Sequence, residues 1–440
     1  MSLFVDLWSA HQSGSSQRTG PLVPSVHQIR DPRRQYLVKQ EISRLWKLPT
    51  TRAHNPCPNP VSLERKDMNT LIKNRYVVAE KTDGVRYLLL LMRWPKVLGG
   101  QPCAIMCSRK FDMYEIRVMA EEDYFQGTLI DGELVWEYEG GQFVPPRQVF
   151  LAFDLVAVRG ISHVDQNFLK RYAIVSDILD CGGKDIIQDP RKWIETAQGL
   201  CENHKVVCEG NQYCLCFRPK RIWPKNEIGT VWRMRKSLRH KSDGLVLTPV
   251  DQPILTGTHD RIFKWKSQHT IDIVWRCRVN NDDEQATWDY EVMFLDAGKE
   301  CLGDMEGVQL RRPSELDDTA DEVYPFKEVP LVILPNAYSA RIIHWHHQRG
   351  ERSFEHIVEC TCKLPSITDF LDRDEDNIPL VECSILKIRN DKATPNQKST
   401  IEKTLCNIQE NITIKDLLDV VSNDSIVVTN DSIIVTNENL

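Results

Sequence analysis

The sequence predicts an α+β protein of two domains, a larger mixed domain followed by a smaller β-rich one. Three observations lead to this prediction: the length of 440 residues, the alternation of strand-like and helical runs, and a second β-rich segment that starts near Thr270. A chain of this length exceeds what one compact core usually holds. Hydrophobic residues make up 41% and charged residues 27%, which excludes a fibrous or wholly disordered protein.

The larger domain is expected to follow an irregular arm, residues 1–54, that contains a helix over Tyr36–Trp46. Three prolines in His54–Pro60 break the chain there. A short helix is predicted next over Ser62–Leu71, because Ser62 can cap its N-terminus and Glu64 follows in the first turn.

Strand-like runs bounded by Gly, Asp or Pro then dominate the larger domain. They are Tyr76–Glu80, Tyr87–Met92, Leu129–Tyr138, Val149–Val158 and Gly244–Val250. Phe168–Ile178 and Asp189–Cys201 have helical periodicity between these strands. The domain is therefore expected to be rich in antiparallel strands, with helices between them.

The smaller domain is predicted from four strand-like segments that suit a small barrel or a short sandwich. They are Thr270–Val279, Thr287–Leu295, Leu331–Ile333 and His356–Cys362. Glu315–Glu322 holds five acids in eight residues and is expected to be a solvated loop. The tail repeats NDSIVVT at 423–429 as NDSIIVT at 430–436, and two copies are too few for a solenoid.

Composition also limits the classes of protein. The longest apolar stretch, Tyr87–Met92, is too short to cross a bilayer. The N-terminal MSLFVDLWSAHQSG lacks a basic region, so no cleaved secretory signal is expected, and the 14 cysteines are expected to be reduced. A net charge of −6 argues against uniform coating of nucleic acid and leaves room for a local basic surface.

A lysine followed two residues later by Asp-Gly, in EKTDGVRY at 80–87, lies where one strand-like run gives way to the next. Alone the pattern is weak, because surface turns share it. A lysine amine is a poor nucleophile while protonated, and cationic neighbours favour its neutral form. Arg86 and later cations could have that effect.

Five further motifs place polar residues inside or beside apolar strands. They are TLIDGELV at 128–135, FLAFDLVAV at 150–158, SDGLVLTP at 242–249, IFKWK at 262–266 and KIRNDK at 387–392. Each alone is typical of a hairpin turn or an edge strand. Together they fit phosphoryl transfer, in which cations neutralise a polyphosphate, carboxylates hold a divalent metal and an aromatic stacks on a base.

The order of these motifs resembles that of eukaryotic and viral mRNA capping enzymes, specifically their RNA guanylyltransferase. NPVSLERKDMNTL at 59–71 is similar to the segment before the lysine motif, and IVEC at 357–360 and RNDKATPN at 389–396 are similar to the C-terminal signature. The resemblance covers roughly residues 55–420. It implies transfer of GMP from GTP, through a lysyl-GMP intermediate, to the 5′-diphosphate end of nascent RNA.

The resemblance also implies the architecture. A nucleotidyltransferase domain of the ligase type (ATP-grasp-like) is expected at 55–268, followed by a C-terminal OB-fold β-barrel at 269–420 and a tail at 421–440. No separate triphosphatase domain is expected in the arm before residue 55, so the enzyme would be monofunctional. About 120 residues separate KWK from RNDK, which implies a decorated OB-fold.

Carried over residue by residue, the family pattern makes Lys81 the nucleophile. Arg86 and Arg109 would contact the sugar and phosphates of GTP, Glu133 would serve the ribose or the metal, and Phe153 would stack on guanine. Each role is implied by the motif in which the residue lies.

The remaining motifs supply the metal and phosphate contacts. Asp243 would hold Mg²⁺ or Mn²⁺, while Lys264 and Lys266 would grip the α-phosphate in the transition state. Arg389 and Lys392, in the OB-fold, would orient the pyrophosphate leaving group. Before its last motif the family usually has a tryptophan and an arginine, where this chain has Cys383 and Lys387; lysine keeps the charge but loses the planar fork.

A basic stretch, residues 214–241, holds nine Lys or Arg and one acid, with Trp223 and Trp232 among them. It is either a solvated face or a surface for the RNA 5′ end or a phosphorylated polymerase tail. Lys220 is similar in position to a phosphate-contacting lysine of the family. A second cluster invites a zinc hypothesis, although its spacing lacks paired C-x-x-C and buried thiols are the default. Its members are Cys201, His204, Cys208, Cys214 and Cys216.

Two alternatives remain open at this point: an ATP-dependent polynucleotide ligase, which shares the lysine chemistry, and a non-catalytic scaffold that binds phosphorylated polymerase or RNA. The guanylyltransferase interpretation implies GTP and 5′-diphosphate RNA as substrates and a divalent metal as cofactor. It also implies a separate RNA triphosphatase and the phosphorylated RNA polymerase II C-terminal tail as partners, with a nuclear location for a cellular protein and a cytoplasmic one for a viral protein.

Overall fold

A computed structural model describes residues 27–49, 55–116, 118, 120–137, 147–179, 205–206, 215–280, 287–302, 308–310, 327–366, 379–390 and 392–423. The described residues divide into two compact units. The first lies within Met1–Ser62, Asn69–Lys266 and Leu417–Leu440, and the second within Leu63–Met68 and Ser267–Asp416.

Seven α-helices are described. They are α1 (Pro32–Leu45), α2 (Met68–Lys73), α3 (Phe168–Ile178), α4 (Ile228–Met234), α5 (Ala337–Gln348), α6 (Lys398–Glu410) and α7 (Ile414–Asn423). The predicted helix at Tyr36–Trp46 is confirmed and begins earlier as α1, because the Asp31 side chain accepts a hydrogen bond from the Arg33 amide and Pro32 suits a first helical turn.

The first unit contains fourteen described strands. They are β1 (His27–Gln28), β2 (Asn59–Ser62), β3 (Tyr76–Thr82), β4 (Val85–Arg93), β5 (Pro102–Ser108), β6 (Met113–Ile116), β7 (Thr128–Glu137), β8 (Arg147–Val158), β9 (Ile161–Ser162), β10 (Lys205–Val206), β11 (Leu215–Pro219), β12 (Trp223–Pro224), β13 (Ser242–Pro249) and β14 (Thr258–Lys266). All five strand-like runs of the larger domain correspond to these strands, so those predictions are confirmed, with Val250 just past the end of β13 and Tyr138 outside the described residues.

The larger sheet of this unit has the order β1-β6-β5-β4-β7-β8-β11-β10, with β9 paired to β8. Its central strand β4 is buried on both faces: Leu88 and Leu90 join one core with α1, whereas Leu89 and Leu91 join another with α3. The continuous apolar run at Tyr87–Met92 is thus that of a strand covered on both sides.

A second sheet of the first unit has the order β12-β3-β13-β14-β2. Here β13 is central and runs antiparallel to β3 and β14, and β2 pairs parallel to β14. The predicted helix over Ser62–Leu71 is wrong at its start, because Val61 and Ser62 pair with Phe263 and Lys264 as the end of β2. A 3₁₀ turn, Arg65–Asp67, leads into α2 instead, with Glu64 and Asp67 forming a reciprocal capping box.

The second unit is β-rich, as predicted. Its strands are β15 (Thr270–Asn280), β16 (Thr287–Asp296), β17 (Lys299–Leu302), β18 (Val308–Leu310), β19 (Lys327–Val329), β20 (Leu331–Ile333), β21 (Ser353–Lys363) and β22 (Val381–Ile388). Six of them form one sheet in the order β17-β16-β15-β21-β22-β20. Alternate residues of β15, Ile271, Ile273 and Trp275, face the core that α6 covers with Ile401 and Leu405. The OB-fold stays a prediction.

Three predictions fall on residues outside the described ones: the helix over Asp189–Cys201, the acidic loop Glu315–Glu322 and the repeat at 423–436, of which only Asn423, the last residue of α7, is described. Among the described residues, no helix is long and apolar enough to cross a membrane. The nine cysteines whose side chains are described are free thiols.

Candidate active site

The lysine of the KTDG motif lies at the end of β3, level with residues of β13 and β14, the next two strands of the sheet. Gly244 of β13 is paired with Lys81 on one side and with Lys266 on the other. The next carboxylate, Asp243, accepts hydrogen bonds from both amines: its Oδ1 lies 2.8 Å from Lys81 Nζ and its Oδ2 lies 2.8 Å from Lys266 Nζ. The KTDG motif, whose lysine is 162 residues from Asp243 in the chain, therefore meets the DGLVLTP and KWK motifs at one carboxylate.

The glycines of the three Asp-Gly pairs permit this arrangement by allowing close approach of the chains. A Cβ built on Gly244 would lie 1.9 Å from the Trp265 carbonyl oxygen, and one on Gly132 would lie 2.4 Å from the Phe150 ring. On Gly84 it would lie 2.6 Å from a backbone oxygen of β7. Gly132 and Gly244 lie inside strands, so the hairpin-turn alternative for these two pairs is wrong.

Arg86 and Phe153 belong to the larger sheet of the same unit. The Arg86 guanidinium donates a bidentate pair of hydrogen bonds to Asp131, with Nε 2.8 Å from Oδ1, and Nη1 donates to the Pro58 carbonyl at 2.5 Å. It also lies over the Phe153 ring, 5.2 Å from the centroid. Arg86 is partly buried, with 13% of its side chain exposed, and these contacts hold it in a fixed orientation against the aromatic ring.

Glu133 and Lys220 lie close to the KTDG loop. Glu133 Oε1 accepts a hydrogen bond from the Gly84 amide at 3.2 Å, and its Oε2 lies 3.8 Å from Lys220 Nζ. The Lys220 amine also donates to the Thr82 hydroxyl and lies 5.9 Å from the centroid of the Phe153 ring. This buried lysine therefore lies between the KTDG motif and the aromatic ring.

Positive charge predominates around Asp243. Burial would raise the pKa of Asp243, but the charges of Lys81 and Lys266 outweigh burial and lower it. Burial, together with the charges of Lys266 and Lys81, lowers the pKa of Lys264. Burial and the charge of Arg86 likewise lower the pKa of Arg109. A set of partly desolvated cations of this kind is suited to binding a polyphosphate.

Arg389 and Lys392 lie in the second unit and form a separate cluster there. Arg389 Nη1 lies 2.9 Å from Asp272 Oδ1 and 3.0 Å from Glu359 Oε2, and the Lys392 amine donates to Asp272. Lys387, at the position where the family usually has arginine, makes an ion pair with Glu359 at 2.9 Å. The other departure, Cys383, is buried with its Sγ 3.9 Å from Cys362 Sγ.

Models of known protein families match almost all of this chain. A model described as mRNA capping enzyme, catalytic domain, matches residues 19–268, and one described as mRNA capping enzyme, C-terminal domain, matches residues 268–418.

The chain belongs to the mRNA capping enzyme family.

Curated relatives agree with this assignment. The mRNA-capping enzyme subunit alpha of Schizosaccharomyces pombe is 27% identical over 411 residues, which is 90% of this chain and 86% of that protein. The subunit of the same name from Neurospora crassa is 25% identical over 401 residues, 88% of each chain. The mRNA-capping enzyme of Caenorhabditis elegans is 25% identical over 263 residues, 58% of this chain and 38% of that protein.

Family membership makes this capping enzyme a guanylyltransferase, which confirms the sequence-based prediction of an mRNA guanylyltransferase with a mixed α/β fold. The ligase interpretation is less well supported than the capping one. The roles of individual residues remain predictions. The predicted site residues lie in the two clusters or within electrostatic range of them. Arg109 and Lys264 are placed by that range: the charges of Arg86, Asp131 and Glu133 act on Arg109, and those of Lys266, Lys81 and Arg109 act on Lys264.

Sequence reasoning missed several acids of the capping enzyme that hold the cations in place. Asp131 opens the DGEL motif, so the motif itself could have indicated it, and Glu359 lies within IVEC. Asp272 lies in an ordinary-looking strand of alternating apolar residues and gave no signal. Thr82, between the nucleophile and its Asp-Gly, also had no predicted role, yet its hydroxyl accepts from Lys220.

The zinc hypothesis and the basic stretch at 214–241 can be compared with the structure only in part. Of the zinc hypothesis, Cys201, His204, Cys208 and Cys214 lie outside the described residues, and only the backbone of Cys216 is described. Within the described residues no group of three or more His, Cys, Asp or Glu side chains is arranged to hold a metal. In the basic stretch Trp223 is buried and Trp232 is half-buried, so neither is an open platform for a base.

Proposed function

We propose that Lys81 of this capping enzyme receives GMP from GTP and passes it to the diphosphate 5′ end of nascent RNA. The observation that carries the proposal is the Lys81 amine held by Asp243 beside Lys266, on three adjacent strands. In the first step the neutral amine nitrogen attacks the α-phosphorus of GTP. A P–N bond forms, the bond from the α-phosphorus to the bridging oxygen of the β-phosphate breaks, pyrophosphate leaves, and the nitrogen releases one proton to solvent.

In the second step a terminal oxygen of the RNA diphosphate attacks the same phosphorus. The P–N bond breaks, the Lys81 amine takes up a proton, and a 5′–5′ triphosphate bridge is left on the RNA. Lys264 and Lys266 act in both steps, because negative charge builds on the oxygens of the transferred phosphorus and a fixed cation stabilises that charge.

The guanosine of GTP is proposed to lie against the larger sheet. Phe153 stacks on the base. Arg86 lies over the Phe153 ring and is held there by its hydrogen bonds to Asp131, so the ring is supported in a fixed position. Glu133 is the carboxylate for the ribose, since its partner Gly84 amide follows Lys81 closely in the chain. Arg109 and Lys220 add positive charge for the sugar-phosphate portion.

A divalent metal, Mg²⁺ or Mn²⁺, is part of the proposal. Mg²⁺ commonly binds one or two carboxylates and completes its shell with phosphate oxygens and water. Asp243 fits that use, because it is a partly exposed carboxylate beside the nucleophile. The metal would neutralise phosphate charge so that an amine can approach the α-phosphorus.

The second domain is proposed to assist the first step. We take residues 55–268 as the nucleotidyltransferase domain and 269–420 as the OB-fold domain, in which Arg389 and Lys392 orient the departing pyrophosphate. Asp272 and Glu359 support this role, since they hold both cations in a defined position.

The family also suggests the enzyme's partners and place of work. We propose that a separate RNA triphosphatase supplies the 5′-diphosphate RNA, that the phosphorylated C-terminal tail of RNA polymerase II recruits the enzyme, and that it works in the nucleus. The S. pombe and N. crassa relatives, named as alpha subunits, support a partner subunit.

The proposal is tested by incubating the protein with Mg²⁺ and α-³²P-labelled GTP, followed by a denaturing gel. We expect a labelled band that is acid-labile and is lost on addition of pyrophosphate. Lys81→Ala abolishes the band, whereas Lys96→Ala, which removes an exposed lysine elsewhere in the same unit, keeps it. Labelling by ATP alone identifies a ligase-type enzyme, and no label with either nucleotide supports the scaffold.

A further inference from the structure

We propose that residues 232–241, called the basic segment below, bind the phosphates of the acceptor RNA downstream of its 5′ end. This proposal rests on the proposed role of Lys81 and adds the RNA-binding surface that the second step needs. The basic segment has five cations and no acid. They are Arg233, Arg235, Lys236, Arg239 and Lys241. All but Arg235 are exposed.

The basic segment leads directly to the nucleophile. The carbonyl of Lys241 accepts a hydrogen bond from the Asp83 amide at 3.0 Å, and Asp83 is the second residue after Lys81. The following residue, Ser242, pairs with Thr82 in the register of β3 and β13. An RNA whose 5′ end reaches the lysine therefore has its next phosphates near these cations.

Local hydrogen bonds fix the shape of the basic segment. Arg235–Ser237 forms a 3₁₀ turn after α4, closed by the Leu238 amide donating to the Arg235 carbonyl. Arg235 Nη1 donates to the Trp232 carbonyl at 2.5 Å, and its guanidinium lies 3.2 Å from the Trp232 ring centroid. Within the described part of the chain, Lys236 and Lys241 make no ion pair, so their charges are available to an anion.

The same contacts decide how RNA is recognised. One side of the Trp232 ring is covered by Arg235, and its other neighbour is Trp265, in an edge-to-face contact at 4.9 Å. Since no open aromatic ring lies in the basic segment, bases have no stacking platform there. Recognition rests on phosphate charge and is independent of sequence, which suits an enzyme whose acceptors share only their 5′ end.

A double variant, Lys236→Ser with Lys241→Ser, tests the proposal. Lys96→Ser with Lys170→Ser is the matched control, because it removes the same charge from exposed positions elsewhere in the first unit. The backbone contact of Lys241 to Asp83 survives the serine change. Each enzyme is first labelled with α-³²P-GTP and then given either a 5′-diphosphate RNA of about 20 nucleotides or GDP as acceptor.

For the double variant we expect lysyl-GMP formation and transfer to GDP to match the control. Transfer to RNA, measured at limiting RNA concentration, falls about tenfold, because each lost phosphate contact also removes the counterion release that favours binding. The slope of log KM for RNA against log salt decreases by about 1.4 for two lost contacts with a single strand. Two RNAs of unrelated sequence give the same loss.

Equal RNA transfer by the double variant and the control overturns the proposal. So does a variant that transfers GMP to RNA normally but no longer binds a phosphorylated polymerase-tail peptide, since the basic segment then serves a protein. If wild-type protein forms no lysyl-GMP, the proposed role of Lys81 fails instead, and the first labelling step reports that separately.

Discussion

Two clusters, one in each unit, use the same device of a carboxylate that bridges two cations. In the first unit Asp243 bridges Lys81 and Lys266, and in the second Asp272 bridges Arg389 and Lys392. The side chain of Asp243 is 34% exposed and that of Asp272 is 10% exposed. The first bridge is therefore open to a ligand, and the second is mostly shielded from water.

Charge balance separates the two clusters further. In the first cluster Lys264 is a third cation, and Asp243 is the acid set against all three. In the second cluster Glu359 adds one negative charge and Lys387 adds one positive charge. The first cluster thus has two positive charges in excess and the second has one. An excess of partly buried positive charge is costly without an anion, so the first cluster is arranged for a ligand, and the second is held largely by its own partners.

The largest expected effect concerns the strand contact beneath the first cluster. Gly244→Ala places a methyl group against the Trp265 carbonyl and should lower the free energy of unfolding by about 3 kcal/mol or more, because the strands must separate. Urea unfolding measures the change. Gly257→Ala is the control: nothing lies within 4 Å of its built Cβ, so only the strain of its positive φ remains, about 1–2 kcal/mol. Equal losses would contradict this account.

Removing the charge of the first bridge should affect activity more than stability. Asp243→Asn leaves the Lys81 and Lys266 amines without their carboxylate, and it should slow lysyl-GMP formation about 100-fold. The urea midpoint should change little, because the carboxylate is partly exposed. Rates are followed with labelled GTP. An Asn variant that keeps the full rate shows that the bridge is not part of the reaction.

The same change in the second bridge should affect stability first. Asp272→Asn removes the carboxylate that pairs with both Arg389 and Lys392 and should lower the free energy of unfolding by about 1–3 kcal/mol. Asp289→Asn, an exposed position on β16, is the control and should have almost no effect. Unfolding is measured in urea. If Asp272→Asn unfolds at the same midpoint as Asp289→Asn, the second bridge does not stabilise the fold.

The smallest expected effect is a shift in pH dependence. Because burial and neighbouring cations lower the pKa of Lys264, this lysine loses its charge at a lower pH than an exposed lysine does. The attraction between Lys264 and the phosphates of GTP therefore weakens at high pH. Lys264→Arg keeps the charge at high pH and should move the alkaline decline of kcat/KM for GTP to higher pH; Lys96→Arg should not. If the pH profile of Lys264→Arg is unchanged, loss of charge at Lys264 does not cause the alkaline decline.

Sequence patterns predicted β3 and β13, two of the three strands that carry the first cluster, because each is an apolar run bordered by Asp-Gly. The third, β14, was not predicted as a strand, although its IFKWK motif was recognised. The patterns did not predict that β2 would pair with β14, a contact of two segments about two hundred residues apart in the chain, and for that reason the helix at Ser62 was wrong. The cations of both clusters were predicted by motif. Their acids were mostly missed, since an acid inside an alternating strand, such as Asp272, resembles any solvent-facing residue until its partners are known.

The second unit is assembled from two segments that are far apart in the order of synthesis. Its segment Leu63–Met68 is made long before the rest of the unit, yet the Arg65 amide donates to Glu410 Oε2 at 2.7 Å and its Nε to the Glu410 carbonyl at 2.8 Å. On the ribosome these six residues must wait for α6 to emerge. A fragment made from Ser267 onward would lack them, so the buried Glu410 carboxylate would lose the Arg65 backbone amide and the Glu410 carbonyl would lose the Arg65 side chain.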